Sequence, residues 1–338
     1  MTHLTSMRLI RHCGELTPEY RGCVLALGNF DGVHLGHQSV IRTAQTLAQS
    51  ARLPHAVMTF EPHPRSLFHP DGPPFRLTPF RVKARLIEAL GIDLCFMQHF
   101  DAAFASHTAE AFVEDVLVQC LAVRHVVVGY DYVFGHGRQG TCAYLQTMGE
   151  VHGFAVTVVP PATAPSGEVY SSTRVREYLV EGKPADAAKL LGHYWEIEGR
   201  VEHGDARGHT IGFPTANLHL GEYQHPARGV YAVRAGIDAG GATLWHDGVA
   251  NFGRRPTFDK RDEVLEVHLL DTAGDLYGRH LRVALVDHIR RERKFAGLDE
   301  LRAQIAHDVG EARRRLALRQ FPAESGPVVP VAEDFRPS

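Results

Sequence analysis

The first half of the chain alternates short apolar runs with segments in which apolar residues recur at helical spacing. The runs are CVLAL (23–27), HAVMTF (55–60), DLCFM (93–97), HVVVG (125–129) and FAVTVV (154–159). Between them, two sets of apolar residues each share a helical face: Val40, Ile41, Ala44, Leu47 and Ala48, and then Val82, Leu86 and Leu90. This alternation predicts an α/β domain with a parallel sheet, because each parallel connection needs a crossover. Ligands of such sheets bind beyond the carboxyl ends of the strands.

The second half has a different periodicity. After His193, strand-like pieces are separated by glycine turns, and no long helical pattern occurs before Leu298. This pattern predicts a mainly-β barrel or sandwich closed by a terminal helix. Residues 182–192 are the expected joint. The predicted organisation is a first domain over 1–184, a second domain over 185–321 and a flexible, proline-rich tail over 322–338.

Composition narrows the possible partners. The 338 residues are 44% hydrophobic and carry 36 Lys plus Arg against 39 Asp plus Glu, a net charge of −3. Such a chain has no general attraction to nucleic acid or to an anionic membrane, so any phosphate recognition must be local. No apolar run approaches the roughly 20 residues that span a bilayer. We expect small-molecule partners, and no pattern specifically predicts an oligomer.

The cysteines and the N-terminus bear on the compartment. The five cysteines, Cys13, Cys23, Cys95, Cys120 and Cys142, include no C-x-x-C pair. The first residues lack the apolar core of a signal peptide. Both features favour a soluble protein of the reducing cytoplasm.

The stretch GNFDGVHLGHQSV follows the first predicted strand, and a helix is expected from near Gly36. A strand that ends this way directs backbone N–H groups above the sheet, where phosphate binds. His34 and His37 lie at the helix entrance, where imidazoles can donate to phosphate oxygens, and Gly36 leaves room for a nucleotide. A transition-metal site that includes Asp31 and a merely structural turn are the other interpretations. The candidate loop residues are Gly28, Asn29, Phe30 and Asp31.

Two further elements of the first half are candidates for ligand binding. Ser172, Thr173 and Arg176, in SSTRVR, offer hydroxyls and a guanidinium that could hold a departing pyrophosphate. The other interpretation of these hydroxyls is a cap that opens the following helix. Phe60 lies in TFEPHP and Phe134 in GYDYVFG, beside Asp131. Both rings could stack on a planar ligand, or could be core residues.

In the second half, GFPTAN offers hard oxygen ligands. Thr215 and Asn217 lie two residues apart, so on an extended chain their side chains point to one face. Hydroxyl and amide oxygens of this kind suit Mg²⁺ that bridges ATP phosphates. Gly212 and Pro214 would shape the turn and border the nucleotide. Taken alone, the motif is more typical of a plain turn.

Together these motifs resemble one known family. GNFDGVHLGH and SSTRVR are similar to nucleotidyltransferase signatures, and with TFEPHP and GYDYVFG they resemble FMN adenylyltransferase. GFPTANL, GVYA, GVANFGRRPTF, LEVHLLD and DLYG follow in the order found in riboflavin kinase. The order of both halves resembles the bacterial bifunctional riboflavin kinase/FMN adenylyltransferase (FAD synthetase) family. The resemblance implies a Rossmann-like nucleotidyltransferase domain before a kinase barrel, with ATP, riboflavin and FMN as substrates, FAD as product and Mg²⁺ as cofactor.

The resemblance also implies a role for one carboxylate. Glu266 occupies the position of the family's catalytic base for the ribityl hydroxyl. Glu263 is the nearest competitor, and its odd spacing from Glu266 predicts the opposite strand face. Two departures from the family pattern are His209, where an Arg is usual, and Asn251-Phe252-Gly253 in place of N-I-G. The first leaves open how firmly the flap over the ATP phosphates is held.

Two hypotheses compete with this assignment. One is a flavin-binding regulator that kept the scaffold and lost turnover. The retained base and metal ligands argue against it, because a sensor needs neither. The other is an adenylyltransferase for a different phosphate ester, which the aromatic elements and the attached kinase half disfavour.

Overall fold

The computed structural model describes residues 7–202, 213–238, 243–254, 263–272, 276–319 and 321. The chain divides into two compact units, one of Met1–Pro73 with Phe80–Tyr170 and one of Pro74–Pro79 with Ser171–Ser338. The predicted boundary between residues 184 and 185 stays a prediction. Gly212, His209 and the predicted tail lie outside the described residues.

The first unit contains a sheet of parallel strands. The strands are β1 (Arg8–Ile10), β2 (Val24–Leu27), β3 (His55–Glu61), β4 (Leu94–His99), β5 (His125–Gly129) and β6 (Ala155–Val159). Their order is β1-β4-β3-β2-β5-β6. The predicted parallel sheet is confirmed, because each of the five apolar runs forms one of β2 to β6. Strand β1 was missed, since three residues at a sheet edge are too short to show a period.

The strand order locates the ligand edge of this sheet. From β2 the chain moves outward through β3 and β4, and then returns to the other side of β2 for β5 and β6. The strand order therefore reverses beside β2. In open α/β sheets this switch point, at the carboxyl end of the strands, is where ligands bind. The loop that follows β2 lies at this point.

Helices cover both faces of the sheet. They are α1 (Leu35–Ala51), α2 (Pro64–Phe68), α3 (Phe80–Glu88), α4 (Ala102–Ala105), α5 (Ala109–Ala111), which continues as a π-helix over Phe112–Cys120, and α6 (Cys142–His152). Helix α1 buries Val40, Ile41, Ala44 and Ala48, as its spacing predicted. Those residues pack with Val24 and Ala26 of β2, whereas Leu25 and Leu27 face the π-helix and α6. This alternation explains why β2 is apolar throughout.

The cysteines differ in state. Cys13 and Cys120 form a disulfide with their Cα atoms 5.5 Å apart, which joins a 3₁₀ turn to the end of the π-helix. The sequence analysis did not predict it, because the two residues are 107 positions apart and leave no local spacing signal. Burial raises the pKa of Cys23 and of Cys95 to about 12, so both stay protonated thiols.

The second unit contains an antiparallel sheet that nearly closes. Its strands are β7 (Glu196–Arg200), β8 (Ala216–His219), β9 (Gly229–Asp238), β10 (Thr243–Arg254), β11 (Glu263–Leu269) and β12 (His280–Arg290). Their order is β7-β12-β9-β10-β11-β8, and a bridge between Glu202 and Asn217 links the two ends. The barrel prediction is confirmed, although β8 and β10 were not identified as strands.

In the described part of this unit, three helices accompany the sheet: α7 (Ser172–Val180), α8 (Pro184–Leu191) and α9 (Leu298–Ala317). Helix α9 is the predicted terminal helix, and the Arg290 guanidinium anchors it through Asp308, with Nε 3.0 Å from Oδ1. The expected joint contains α8, most of which is buried in this unit. Among the described helices, none combines the length and apolar character that a membrane crossing requires.

Buried His55 makes the first unit sensitive to acid. Its side chain begins β3 and is 3% exposed, and burial lowers the imidazole pKa from its usual 6.5 to about 4. The unfolded chain therefore binds a proton below pH 6.5 that the folded unit excludes, so stability falls as the pH drops from 6.5 towards 4.

We expect this group to cost about 2 kcal/mol of stability between pH 7 and pH 5. Amide exchange of β3 at both pH values, corrected for intrinsic rates, measures it. His55→Leu should lose that much less than the natural protein over the same interval. An identical pH dependence of the two proteins would show that His55 is not the acid-sensitive group.

Candidate active sites

The loop after β2 has an unusual backbone. Between Leu27 and the start of α1, Phe30, Gly32 and Val33 have φ values of 50°, 93° and 44°. A β-branched residue such as Val33 rarely adopts this conformation, and such strain persists only where surrounding contacts impose it. The Gln38 side chain donates to the Val33 carbonyl at 3.0 Å, which is one such contact. Strain at the switch point of the sheet is typical of a functional loop.

His34 and His37 lie together where α1 begins. Their rings stack with centroids 3.5 Å apart, and His34 Nδ1 accepts the His37 backbone N–H at 3.3 Å. His34 is therefore the N-cap of α1, which the sequence analysis missed because His is not a usual cap. Since Nδ1 accepts, neutral His34 carries its proton on Nε2.

Gly36 lies close to the His34 ring. A Cβ at this position would lie 3.1 Å from the His34 ring and 3.3 Å from Cβ of Tyr170. The absence of a side chain thus makes room for the His34 imidazole. The expectation that Gly36 also leaves room for a nucleotide stays a prediction.

A buried lysine that the sequence analysis missed lies beneath this loop. Lys83 of α3 is fully buried, and its Nζ lies 3.0 Å from Thr59 Oγ1, 3.2 Å from the Asn29 carbonyl and 2.9 Å from Glu61 Oε1. Thr59 Oγ1 also donates to the Asn29 carbonyl at 3.0 Å. Helix α3 therefore connects the loop after β2 with the end of β3.

The two aromatic candidates lie in the core. Phe60 is 6% exposed and Phe134 is 7% exposed. Phe60 packs on Phe104 at 6.1 Å between ring centroids, Phe104 packs on Phe112 at 6.1 Å, and Phe112 packs on Phe134 at 5.4 Å. The core interpretation thus holds for both rings, and one aromatic chain joins the two motifs. A ligand could reach only their remaining exposed edges.

The loop after β5 positions Asp131. Its side chain is exposed, and Oδ1 would lie 3.4 Å from a Cβ on Gly129. The Cys142 thiol lies 3.4 Å from the Gly129 carbonyl and 3.5 Å from the Tyr132 carbonyl. Burial raises the pKa of Cys142, so this thiol is a hydrogen-bond donor and not a nucleophile.

Helix α7 carries the hydroxyl and guanidinium candidates. Ser171 caps it, since its Oγ accepts the Arg174 backbone N–H at 3.2 Å, which confirms that one hydroxyl of the motif is a cap. Ser172 is half-buried and Thr173 is exposed. Arg176 donates from Nε to the Phe75 carbonyl at 2.8 Å. Helix α7 belongs to the second unit, so its role towards His34 and His37 stays a prediction.

Three polar residues line up across the second sheet. Glu266 of β11 lies directly opposite Asn217 of β8 on one side and Asn251 of β10 on the other. Directly paired residues of neighbouring strands share a face, so all three side chains project together. Thr215 precedes β8 with the same parity as Asn217, which places it on this face if the extended chain continues. Asn217 is 4% exposed, and Glu266 is half-buried.

His268 holds the PTAN turn beside this row of residues through a hydrogen bond. Two residues after Glu266, and therefore on its face, His268 Nδ1 lies 2.8 Å from the Pro214 carbonyl. Neutral His268 with its proton on Nδ1 donates this bond. The sequence analysis missed this role, although the two-residue spacing from Glu266 was a usable signal.

Glu263 lies on the opposite face from Glu266. Strand β11 pairs with β10 without a register shift, so residues three apart point in opposite directions. The Glu263 carboxylate lies 2.6 Å from His225 Nδ1 and 3.0 Å from Arg228 Nε. These contacts hold it in an ion-pair cluster away from the row of three polar residues.

Glu292 is a carboxylate that the sequence analysis did not select. A Cβ on Gly253 would lie only 1.9 Å from Glu292 Oε1, so the carboxylate occupies the place of a side chain there. Gly253 shares a face with Asn251, two residues earlier on β10. The family's N-I-G has the same glycine, and a side chain at this position would have to displace the Glu292 carboxylate.

Each half of the chain matches a known protein family. Residues 16–174 match the FAD synthetase family and residues 191–316 match the riboflavin kinase family. The bifunctional riboflavin kinase/FMN adenylyltransferase of Escherichia coli K12 is 46% identical over 92% of this chain and 99% of its own. That of Haemophilus influenzae is 40% identical over 91% and 98%. The crystal structure of a protein named a macrolide-efflux protein, from Streptococcus pneumoniae, superposes with a TM-score of 0.79 at 32% identity, over 91% of this chain and 99% of that one.

Proposed function

The chain belongs to the family of bifunctional riboflavin kinases/FMN adenylyltransferases, and from that membership we propose that its two polar constellations are two separate active sites. The protein is a riboflavin kinase and an FMN adenylyltransferase. It converts riboflavin and ATP to FMN, and then FMN and a second ATP to FAD and pyrophosphate. The observation that carries the assignment is that the loop with His34 and His37 lies in the first unit, whereas the row with Asn217 and Glu266 lies in the second.

Adenylyl transfer is assigned to the loop after β2. An FMN phosphate oxygen attacks the α-phosphorus of ATP in line, the bond from that phosphorus to the β-phosphate oxygen breaks, and pyrophosphate leaves. His34 and His37 donate hydrogen bonds to the phosphate oxygens as their charge grows, and the strained backbone presents N–H groups to them. Positioning and electrostatics then account for the catalysis without a covalent enzyme intermediate.

The remaining residues of this site are assigned by their place in the motifs. Asp131 would bind a polar group of FMN or ATP. The exposed edges of Phe60 and Phe134 would form the wall beside the isoalloxazine ring. The loop that would bind ATP consists of Gly28, Asn29, Phe30 and Asp31. The departing pyrophosphate would be held by Ser172, Thr173 and Arg176.

Phosphoryl transfer is assigned to the row on β8, β10 and β11. Glu266 takes the proton of the ribityl hydroxyl while that oxygen attacks the γ-phosphorus, and ADP leaves. Gly212 and Pro214 border the ATP. Thr215 and Asn217 would hold Mg²⁺, and the hydroxyl, amide and carboxylate oxygens of this face are the donors it prefers. When bound, the ion neutralises charge on the ATP phosphates.

We also infer the setting in which the enzyme works. Its substrates are small molecules, and the near-neutral composition argues against nucleic acid as a partner. A cytoplasmic location fits its use of ATP.

Chromatography of the flavin products tests the function. Purified protein with riboflavin, ATP and Mg²⁺ should produce FMN first and FAD later. Chelation of Mg²⁺ should stop the formation of FMN, and its return should restore it. A flavin-binding regulator would form neither product, and an adenylyltransferase for another ester would leave added FMN unchanged.

A further inference from the structure

The buried ammonium group of Lys83 has acceptors on both segments that border the adenylyltransferase site. Its Nζ is surrounded by the Asn29 carbonyl, Thr59 Oγ1 and Glu61 Oε1, all within 3.2 Å. An ammonium group has three N–H donors, so these acceptors can use all of them. Lys83 itself is fully buried. A side chain with no exposed surface cannot contact a substrate directly, so Lys83 would act on the site through the loop.

The contact with Asn29 fixes the direction of the next N–H group. A trans peptide unit is planar, with its carbonyl and N–H pointing in opposite directions. Lys83 and Thr59 both donate to the Asn29 carbonyl, so the Phe30 N–H points away from them. Phe30 also has a φ of 50°, an unfavourable conformation that needs such support.

We infer that Lys83 is a positioning residue for adenylyl transfer: it holds the Asn29–Phe30 peptide so that the strained loop presents its N–H groups to the ATP phosphates. This inference rests on the proposed assignment of the loop as the adenylyltransferase site. The Glu61 carboxylate balances the positive charge of the buried Lys83 ammonium group.

A pair of variants separates positioning from simple charge balance. Lys83→Met removes the donors and breaks the buried ion pair with Glu61, so the first unit should lose stability. Lys83→Met with Glu61→Gln removes both charges together and should regain stability. If Lys83 positions the loop, the double variant should still lose about 10²-fold in kcat for FAD synthesis, with a smaller change in KM for ATP.

Controls make each outcome decisive. Riboflavin kinase activity, measured on the same samples, should stay within about twofold of the natural protein, and Lys189→Met, an exposed lysine, should change neither activity. A double variant that is folded and synthesises FAD at the natural rate would overturn the inference. If His37→Ala also synthesised FAD normally, the assignment of the loop itself would be at fault. Loss in His37→Ala alone would leave that assignment intact and remove only the role of Lys83.

Discussion

Replacement of His37 by Ala is expected to lower the rate of FAD synthesis from FMN by about 10²–10³, the usual cost of losing one donor to a developing charge. The His37 ring stacks on His34 at 3.5 Å and lies at the entrance of α1. Formation of FMN from riboflavin should be unchanged, because that reaction is assigned to the second unit. Pyrophosphate release from ATP and FMN measures the first rate, and the appearance of FMN measures the second.

His34 provides the matched control for helix capping. His34→Ala removes both the imidazole and the N-cap of α1, so a loss of activity there could reflect about 1 kcal/mol of lost helix stability. Asn is a preferred cap, so His34→Asn should keep the helix start while it still loses the phosphate donor. If His34→Asn and His37→Ala both retained full FAD synthesis, the two imidazoles would have no part in transfer.

Replacement of Glu266 by Gln should have the reverse effect, with FMN synthesis reduced by about 10²–10⁴, the range attributed to a general base. The amide keeps the shape of the side chain between Asn217 and Asn251, so the strands should remain paired. Conversion of added FMN to FAD should continue at the natural rate. Separate initial-rate assays with riboflavin and with FMN measure the two effects.

Glu263 offers a comparison on the same strand. Its carboxylate faces the other way and pairs with His225 and Arg228. Glu263→Gln should therefore weaken the fold of the second unit and leave the kinase step of the folded protein nearly unchanged. A larger loss of kcat for Glu263→Gln than for Glu266→Gln would show that Glu263, and not Glu266, is the base of the kinase step.

The periodic elements of the fold could be predicted because burial leaves a repeated signal. Strands β2 to β6 are covered on both faces, so each is a continuous apolar run. Strand β8 was not predicted, because its four residues, ANLH, include Asn217 and polar residues after a proline are equally typical of a turn. The terminal helix α9 begins at Leu298, where the helical pattern was expected, and its length of 20 residues made that pattern easy to recognise.

The site residues were predictable only where chemistry and motif coincide. Suitable imidazole, amide and carboxylate groups occur within recognisable sequence motifs at His34, His37, Asn217 and Glu266. The contacts of Lys83 join residues 24 and 54 positions apart, so no local spacing reveals them. One signal was available: Lys83 and Ile87 are four residues apart and both lie on the buried face of α3. A lysine at an apolar position of a helix is buried only when it is paired, which should have prompted a search for its partners.

We propose that two separate sites, the loop after β2 and the row on β8, β10 and β11, act in succession and that FMN is released between them. Mixing the His37→Ala and Glu266→Gln proteins with riboflavin, ATP and Mg²⁺ tests it most directly. Neither variant alone should convert riboflavin to FAD at a substantial rate, whereas the mixture should do so, because the first makes FMN and the second adenylylates it. A mixture no more active than its components, although each folded variant retains its own half-reaction, would contradict release of FMN, and the loss of both half-reactions in either folded variant would contradict two separate sites.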